Sequence, residues 1–337
     1  MSFAAACLPL CLLTPWLSLQ PARARPPNIV FIYTDDQARW GMGAYGNPEV
    51  RTPNLDRLAA EGALFLSAFT LTPVCSPSRA TMFTGRYPTE CGIEDWINPG
   101  KEPDVGLSPD IATWPKLLKA AGYRTGLVGK WHLGTQPRFH PLRNGYDSFA
   151  GFLAGGIAPM DPTIEVEGKM TKVQGAASNV LTDKAIEFLR SCGKGPFLLS
   201  LHFRAPHAPY APVPEEDSRH HESLDPAIPK VEGLPVDRVK KLTREYYGTI
   251  SCVDRNVGRL LGVIDELGLR ESTLVVFTSD HGYMIGHHGL HHKGNAAWIL
   301  EGKNGHRPNF FDDAIRVPLA IRWPGIAATD PGAVPRG

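Results

Sequence analysis

Residues 28–36 of the chain are NIVFIYTDD, an apolar run rich in β-branched and aromatic side chains that ends in two adjacent aspartates. A run of this length predicts a buried strand. Three later strand candidates are also followed at once by ionisable side chains: Arg124–Gly129 before Lys130 and His132, Phe197–Phe203 before His207, and Leu274–Thr278 before Asp280 and His281. Because ligands of open α/β sheets bind outside the carboxyl ends of the strands, we expect the four clusters to face one crevice.

Helix candidates alternate with these strands. Thr52-Pro53 provides a cap and a first-turn proline, and Gly62 closes that helix. Alternation of helices with nearly continuous apolar strands predicts an α/β fold with a large, mostly parallel central sheet covered by helices on both faces. The remaining helix candidates are Ser76–Phe83, Thr113–Ala121, Thr182–Cys192 and Val236–Leu267, the further strand candidates are Leu64–Phe69 and Val317–Arg322, and Pro206–Pro235 is expected to form a long loop.

The composition is that of an ordinary globular protein. The chain has 337 residues, of which 42% are hydrophobic and 20% charged, and its 35 Lys and Arg balance 34 Asp and Glu to a formal charge of +1. This excludes a disordered or fibrous protein, and the near-neutral balance provides no general field for nucleic acid. The length predicts one large domain with at most a small appendage.

The first 24 residues have the features of an export signal. Ala4–Leu19 is apolar but is interrupted by Pro9 and Pro15, so it is too short to span a membrane. Ala22-Arg23-Ala24 then fits a small-x-small cleavage site, although no Lys or Arg precedes the apolar run. We predict a signal peptide over residues 1–24, a catalytic domain over 25–337, a secreted or periplasmic location and no stable membrane insertion. A mis-assigned start codon or a membrane-tethered tail is the alternative.

Export would leave four cysteines, at positions 75, 91, 192 and 252. Four cysteines in a chain of this length do not form a disulfide scaffold. If Cys75 serves chemistry, only three remain, so at least one of them has no partner within the chain.

Three carboxylates are expected at one edge of the sheet. Asp35, Asp36 and Asp280 would repel one another there, and a divalent cation would remove that cost. Oxygen ligands favour Ca²⁺ or Mg²⁺, whereas His281 favours Zn²⁺ or Mn²⁺. The alternative for Asp35-Asp36 alone is a helix cap or an Asx turn.

The segment Cys75-Ser76-Pro77-Ser78-Arg79 is the most specific motif. Pro77 suits the first turn of a helix, so Cys75 would lie at a helix N-terminus, where free N–H groups favour an anion. Arg79 lies four residues further on the same face and could bind a tetrahedral oxyanion through its guanidinium fork. The alternative is a buried structural cysteine before a helix.

Cations and imidazoles complete the candidate site. Lys130 and His132, two apart in a strand-like segment, would face the same side, Lys130 toward an anionic substrate and His132 for acid–base work. His207 lies between Pro206 and Pro209, in a turn suited to fixing an imidazole, and Lys293 could reach back as a further cation. Taken singly, each of these is explained as well by a packed loop or a surface side chain.

Together the motifs resemble the sulfatase family of the alkaline-phosphatase-like superfamily. The resemblance rests on Asp35-Asp36, the Cys-x-Pro-Ser-Arg element at 75–79 with Thr-Gly-Arg at 84–86, Gly-Lys-Trp-His at 129–132, Pro206-His207, and Ser-Asp-His-Gly at 279–282 with Lys293 beyond. These motifs span residues 28 to about 325, most of the chain. The resemblance also implies that most of the family's smaller C-terminal subdomain has no counterpart in these 337 residues.

The resemblance implies a role for each residue. Cys75 would be oxidised by a formylglycine-generating enzyme, and the hydrated aldehyde would be the nucleophile. Asp35, Asp36, Asp280 and His281 would bind one divalent ion, usually Ca²⁺, together with residue 75. Arg79 and Lys130 would stabilise the formylglycine and the sulfate charge, and His132 would help to expel sulfate. His207 and Lys293 would hold the sulfate and protonate the leaving oxygen.

Three candidate functions follow, of which two are hydrolases that use the same site and the third belongs to another class. The first is a sulfuric ester hydrolase acting on sulfated carbohydrates, with small aryl sulfates as artificial substrates. The second is a phosphonate or phosphate monoester hydrolase using the same site, because these esters are also tetrahedral oxyanions. The third is a non-catalytic binder of sulfated glycans, which applies if Cys75 stays a thiol. The natural substrate, the metal and the oligomeric state are left open.

Overall fold

The computed structural model describes residues 26–323, and the predicted signal peptide lies outside them. Its helices are α1 Pro53–Ala60, α2 Cys75–Thr84, α3 Trp114–Ala120, α4 Ala177–Ser191, α5 Glu215–Glu222, α6 Val236–Glu266 and α7 Asp312–Ile315. Its strands are β1 Asn28–Asp35, β2 Ala63–Leu64, β3 Ala68–Phe69, β4 Arg124–Lys130, β5 Ser148–Phe152, β6 Thr163–Val166, β7 Lys169–Lys172, β8 Phe197–Pro206, β9 Thr273–Ser279, β10 Met284–Ile285, β11 Leu290–His292, β12 Ala297–Trp298, β13 Arg316–Val317 and β14 Leu319–Arg322.

Nine of the strands form the central sheet, in the order β2-β14-β9-β1-β8-β4-β5-β6-β7. The five central strands, from β9 to β5, are parallel, and the strands on both edges are antiparallel. In the register, Ile29 of β1 lies opposite Leu198 of β8 and Leu274 of β9. The predicted α/β class with a mostly parallel sheet is confirmed.

Helices cover both faces of this sheet because side chains alternate along the buried strands. Val30 and Ile32 of β1 point into a core shared with α1, α4 and α6. Ile29 and Leu198 point the other way, into a second core with Phe83 of α2 and side chains of α3. The sheet is therefore buried on both sides, and its strand ends are the part left free for a site.

Three predicted elements differ from the structure. The strand predicted over Leu64–Phe69 is two short strands in different sheets, because β2 pairs with β14 whereas β3 pairs with β13. The strand predicted over Val317–Arg322 is likewise divided between β13 and β14. Helix α4 begins at Ala177, five residues before the predicted start at Thr182. Tertiary pairing rather than local pattern sets the boundaries of the divided strands.

The long segment after β8 is partly helical, because α5 lies within the predicted loop Pro206–Pro235. The histidine-rich segment after β9 is also ordered. It forms a three-stranded antiparallel sheet of β10, β11 and β12, which carries Lys293 just beyond β11. No helix within residues 26–323 is both long enough and apolar enough to cross a membrane.

The conformation of Gly129 in β4 allows a specific prediction about stability. Its φ is +110°, and a Cβ added there would lie 1.8 Å from the backbone oxygen of His202 in the neighbouring strand β8. We expect Gly129→Ala to lower the free energy of unfolding by about 2–4 kcal/mol, from backbone strain and overpacking together. Urea unfolding of the full chain measures this. Gly193→Ala, where the added Cβ meets nothing within 4 Å, is the control, and equal losses in both variants would contradict the prediction.

Candidate active site

The four ionisable clusters meet at one edge of the sheet, as predicted. Strands β9, β1, β8 and β4 are consecutive neighbours and all parallel. Asp35 and Lys130 are the last residues of β1 and β4, His207 directly follows β8, and Asp280 directly follows β9. Four strand ends therefore supply the floor of one crevice.

Cys75 enters this crevice as the first residue of helix α2. Its Sγ lies 3.1 Å from Lys293 Nζ, 3.4 Å from His281 Nε2 and 3.5 Å from Asp35 Oδ1. The side chain is 3% exposed. The helix N-terminus and Lys293 favour an anion at position 75, whereas Asp35 opposes one.

Two buried ion pairs hold the carboxylates beneath Cys75. Lys130 Nζ donates to Asp35 Oδ2 at 2.6 Å. Arg79 donates from Nε and Nη2 to Asp280 Oδ2, at 3.1 and 3.0 Å, and from Nη1 to the backbone oxygen of Lys130. The ring of Tyr33 lies against this guanidinium, with its centroid 5.0 Å from Arg79 Cζ. Arg79 and Lys130 are fully buried, so they act on the crevice through Asp280 and Asp35 and do not line it.

Asp36 and His281 form the second half of the cluster. Asp36 has a positive φ of 69°, and its backbone N–H donates to Asp280 Oδ1. Its Oδ1 accepts from Lys293 Nζ at 2.5 Å and lies 3.3 Å from His281 Nε2. Its Oδ2 is buried and has no hydrogen-bond partner among the described residues. One carboxylate oxygen thus faces the cluster without compensation.

Burial and the charged neighbours shift the pKa values of Cys75, Asp35 and Asp280. Burial alone would raise the pKa of the Cys75 thiol, but Lys130 and Lys293 outweigh it and hold this pKa well below its usual value. Burial opposes ionisation of Asp35 too, but Lys130 holds its pKa well below the ordinary range. Burial raises the pKa of Asp280 to about 7. The two lysines therefore favour an anion at position 75, whereas burial opposes the charge on Asp280.

His132 and His207 complete the site from two loops. The interpretation of Lys130 and His132 as strand neighbours on one side is wrong, because β4 ends at Lys130 and His132 has a φ of 59°. His132 still lines the crevice, and its Nε2 lies 3.1 Å from the backbone oxygen of Ile97. His207 is 30% exposed, and its Nε2 lies 3.8 Å from Asp36 Oδ2.

A cavity of about 760 Å³ opens directly above these groups. Cys75, His132, His207 and Lys293 line its floor. The volume lies in the range of small-molecule sites. The structure therefore brings all of the predicted residues together, with four of them facing the cavity and the rest forming the layer beneath.

Sequence reasoning missed Arg204, which also lines the cavity. Its guanidinium donates from both Nη atoms to the backbone oxygen of Pro209, and its own backbone oxygen accepts from the N–H of His207. One residue thus binds the His207 turn at both ends. The predicted strand stopped at Phe203, but β8 continues to Pro206, and the position of Arg204 at a buried strand end was the available signal.

Fold and site together define an α/β protein of the alkaline-phosphatase-like superfamily. The family model described as Sulfatase matches residues 27–334. This chain belongs to the sulfatase family.

Two curated relatives illustrate the match. An ulvan-active sulfatase from Formosa agariphila is 34% identical over 313 residues, and the N-acetylgalactosamine-6-sulfatase of Rattus norvegicus is 32% identical over 348 residues. The alignments cover 89% and 94% of this chain but 57% and 61% of the relatives. The chain thus spans about three fifths of the length of these relatives.

Solved structures give the same result. A putative sulfatase from Bacteroides fragilis has a TM-score of 0.76 at 29% identity, over 91% of this chain and 70% of that one. A protein solved with its substrate D-glucosamine-2-N,6-O-disulfate has a TM-score of 0.73 at 26% identity, over 89% and 72%. The phosphonate monoester hydrolase of Agrobacterium radiobacter, with a TM-score of 0.65 at 23% identity over 89% and 68%, shares the fold.

Proposed function

We propose that this chain is a sulfuric ester hydrolase that acts on sulfated carbohydrates through a formylglycine formed from Cys75. The observation that carries the proposal is the position of Cys75 Sγ, within 3.5 Å of Lys293, His281 and Asp35 at the base of the cavity. A hydrated aldehyde at this position would supply an oxygen nucleophile that loses its proton more readily than a serine hydroxyl. The low pKa of the Cys75 thiol indicates that the surroundings favour such an anion.

The residues beside position 75 fit a divalent cation. Asp35, Asp36, Asp280 and His281 bring three carboxylates and an imidazole together, and ligand atoms of Asp35, Cys75, Asp280 and His281 lie within 4.8 Å of one another. Asp36 Oδ2 has no hydrogen-bond partner among the described residues, and burial raises the pKa of Asp280, so both carboxylates could gain from a bound cation. A bound cation would polarise the sulfate ester and favour the deprotonated nucleophile. Ca²⁺ suits the oxygen-rich set best, with Mg²⁺ or Mn²⁺ as alternatives.

The imidazole of His132 is arranged to take a proton. Burial, reinforced by Lys130, lowers its pKa, so the neutral ring is the stable form. Because Nε2 faces the backbone oxygen of Ile97, Nε2 carries the hydrogen and Nδ1 keeps its lone pair. Nδ1 is buried and has no partner among the described residues. In the proposal, this atom accepts the proton of the nucleophile's remaining hydroxyl as sulfate is expelled.

Lys293 and His207 act on the substrate side. Lys293 contacts both Asp36 and Cys75, and the Asp36 carboxylate raises its pKa far above the usual value, so the ammonium stays charged. A fixed cation there offsets the charge that develops on the sulfuryl oxygens. His207 is the more exposed of the two, and in the proposal it protonates the leaving oxygen.

The carbohydrate substrate class rests on two kinds of support. The relatives include sulfatases named for ulvan and for N-acetylated hexosamine sulfates, and one related structure holds a sulfated glucosamine. The cavity is wide enough for a sugar ring. The proposal further includes a formylglycine-generating enzyme as a maturation partner and, from the N-terminal sequence, a secreted or periplasmic location.

The test is the mass of the tryptic peptide Leu58–Arg79 from full-length chain made with a formylglycine-generating enzyme, together with its turnover of 4-nitrophenyl sulfate. We expect the mass of an aldehyde in place of the thiol at Cys75, and sulfate release in proportion to the converted fraction. An unmodified thiol under those conditions would remove the nucleophile and would leave a binder of sulfated glycans as the better hypothesis.

A phosphonate or phosphate monoester hydrolase is the second candidate, since a phosphonate monoester hydrolase shares this fold. Turnover of 4-nitrophenyl sulfate, 4-nitrophenyl phosphate and a phenyl phosphonate monoester separates the two. A higher kcat/KM for the sulfate is expected. Preference for either phosphorus ester would reverse the assignment.

Calcium binding is expected to stabilise the folded chain. At about one hundred times its Kd, Ca²⁺ should raise the free energy of unfolding by about 2.7 kcal/mol, because the cation binds the folded state alone. Thermal unfolding with and without Ca²⁺, Mg²⁺ or Mn²⁺ measures the shift, independently of activity. Asp36→Asn should remove most of it, whereas the exposed Asp110→Asn should not. An unchanged shift in Asp36→Asn would contradict the site.

A further inference from the structure

One tryptophan at the cavity is left half-exposed. Trp96 lines the cavity and is 44% exposed. Four other tryptophans of the described residues are engaged in packing, whereas Trp323 is 41% exposed but lies outside the cavity lining. Trp40 stacks on His287, Trp114 and Trp131 pack against Phe83, and Trp298 lies beneath Lys303. A half-exposed indole beside the ionisable cluster offers an aromatic face to a ligand that has an apolar side.

The backbone next to Trp96 is tied directly to the reaction centre. The N–H of Ile97 donates to Ser76 Oγ at 3.0 Å, in the first turn of helix α2 beside Cys75. The backbone oxygen of Ile97 lies 3.1 Å from His132 Nε2. The backbone that carries Trp96 is therefore held at a defined place relative to position 75, which limits where a group stacked on the indole can lie.

The cavity lining has an apolar part and a polar part. Trp96, Ile97 and Pro99 make one apolar stretch of the lining, continued by Ile157. Other parts of the lining carry hydrogen-bonding side chains, from Arg204, His292, Asn295 and His306. Within residues 26–323, no aspartate or glutamate lines the cavity. Such a lining fits an anionic ligand that presents one apolar face and an edge of hydroxyl groups, which is the chemistry of a sulfated pyranose.

We propose that Trp96 is the platform on which the sugar ring carrying the sulfate ester stacks. The inference rests on the proposed sulfatase function and adds the residue that makes the site select sugar sulfates over sulfate esters without a ring. The stacking orients the sulfate ester on that sugar toward position 75, and the polar side chains bind the ring hydroxyls. Trp96 contributes little to a substrate that has no ring to place on it.

The kinetic test compares substrates with and without a ring. The probes are N-acetylgalactosamine 6-sulfate, N-acetylglucosamine 6-sulfate and methyl sulfate, used with the matured full-length chain. We expect Trp96→Ala to raise KM for the better sugar sulfate about tenfold, with little change in kcat/KM for methyl sulfate. Trp96→Phe should keep most of the affinity because it retains an aromatic face. Trp323→Ala, equally exposed at 41% but outside the cavity lining, should behave as the unmodified chain.

The binding test separates this inference from the proposed function. Calorimetric titration of the Cys75→Ala chain with the same three probes measures affinity without turnover. Trp96-dependent binding of a sugar sulfate by the Cys75→Ala chain would support the platform, and failure of the matured, unmodified chain to hydrolyse that sugar sulfate would contradict the hydrolase. Hydrolysis of sugar sulfates with KM unchanged in Trp96→Ala would overturn the platform and leave the hydrolase standing. Equal loss for sugar sulfates and methyl sulfate, or no affinity for either sugar sulfate, would also overturn it.

Discussion

Cys75→Ala is expected to lower kcat for 4-nitrophenyl sulfate by about 10⁴-fold or more, because it removes the atom from which the nucleophile is made. The remaining cations can still bind a sulfate group, so affinity for the ester should fall far less than kcat. Cys75 is 3% exposed at the start of α2, and alanine is compatible with a helix start, so the chain should still fold. Steady-state kinetics with matured protein gives both constants.

The control for this variant is another buried cysteine. Cys91→Ala removes a side chain that is 8% exposed and packs in the α2–α3 core, away from the cavity lining. It should keep near-normal kcat and lose only stability. If Cys75→Ala retained more than a small fraction of kcat while Cys91→Ala lost it, the nucleophile would be elsewhere.

Arg79→Met is expected to destabilise the chain by about 3–5 kcal/mol, because it leaves Asp280 buried without its guanidinium partner. Both side chains are fully buried, and the backbone oxygen of Lys130 loses a donor as well. Activity should fall even where the variant stays folded, since Asp280 loses its orientation. The midpoint of urea unfolding, with and without Ca²⁺, measures the first effect, and kcat the second.

The matched control is an exposed ion pair of the same type. Arg190 and Glu266 are more than half exposed, at 53% and 58%, and their charged atoms lie 3.1 Å apart. Arg190→Met should change the unfolding free energy by about 0–1 kcal/mol. Equal shifts in the two variants would show that the Arg79–Asp280 pair is not the source of the stability.

The four strand ends show how much of the site could be predicted from the sequence. Apolar runs such as Asn28–Thr34 must be buried, and ionisable residues directly after them must lie at a sheet edge, so the crevice at Asp35, Lys130, His207 and Asp280 was predictable. The positions of Cys75 and Lys293 beside it were predicted from motifs. Their spacing along the chain, 218 residues, carries no information about the 3.1 Å between Sγ and Nζ.

The sequence by itself determined the class of the sheet, the cluster of ionisable groups and the family, because burial of apolar runs and short motifs are local properties. Tertiary structure alone decided which basic side chains face the cavity. Arg79 and Lys130 lie beneath the floor of the cavity because they form buried ion pairs with Asp280 and Asp35. Lys293 and His207 line the cavity instead. It also decided the positions of Arg204 and Trp96, since their roles depend on what distant segments leave uncovered.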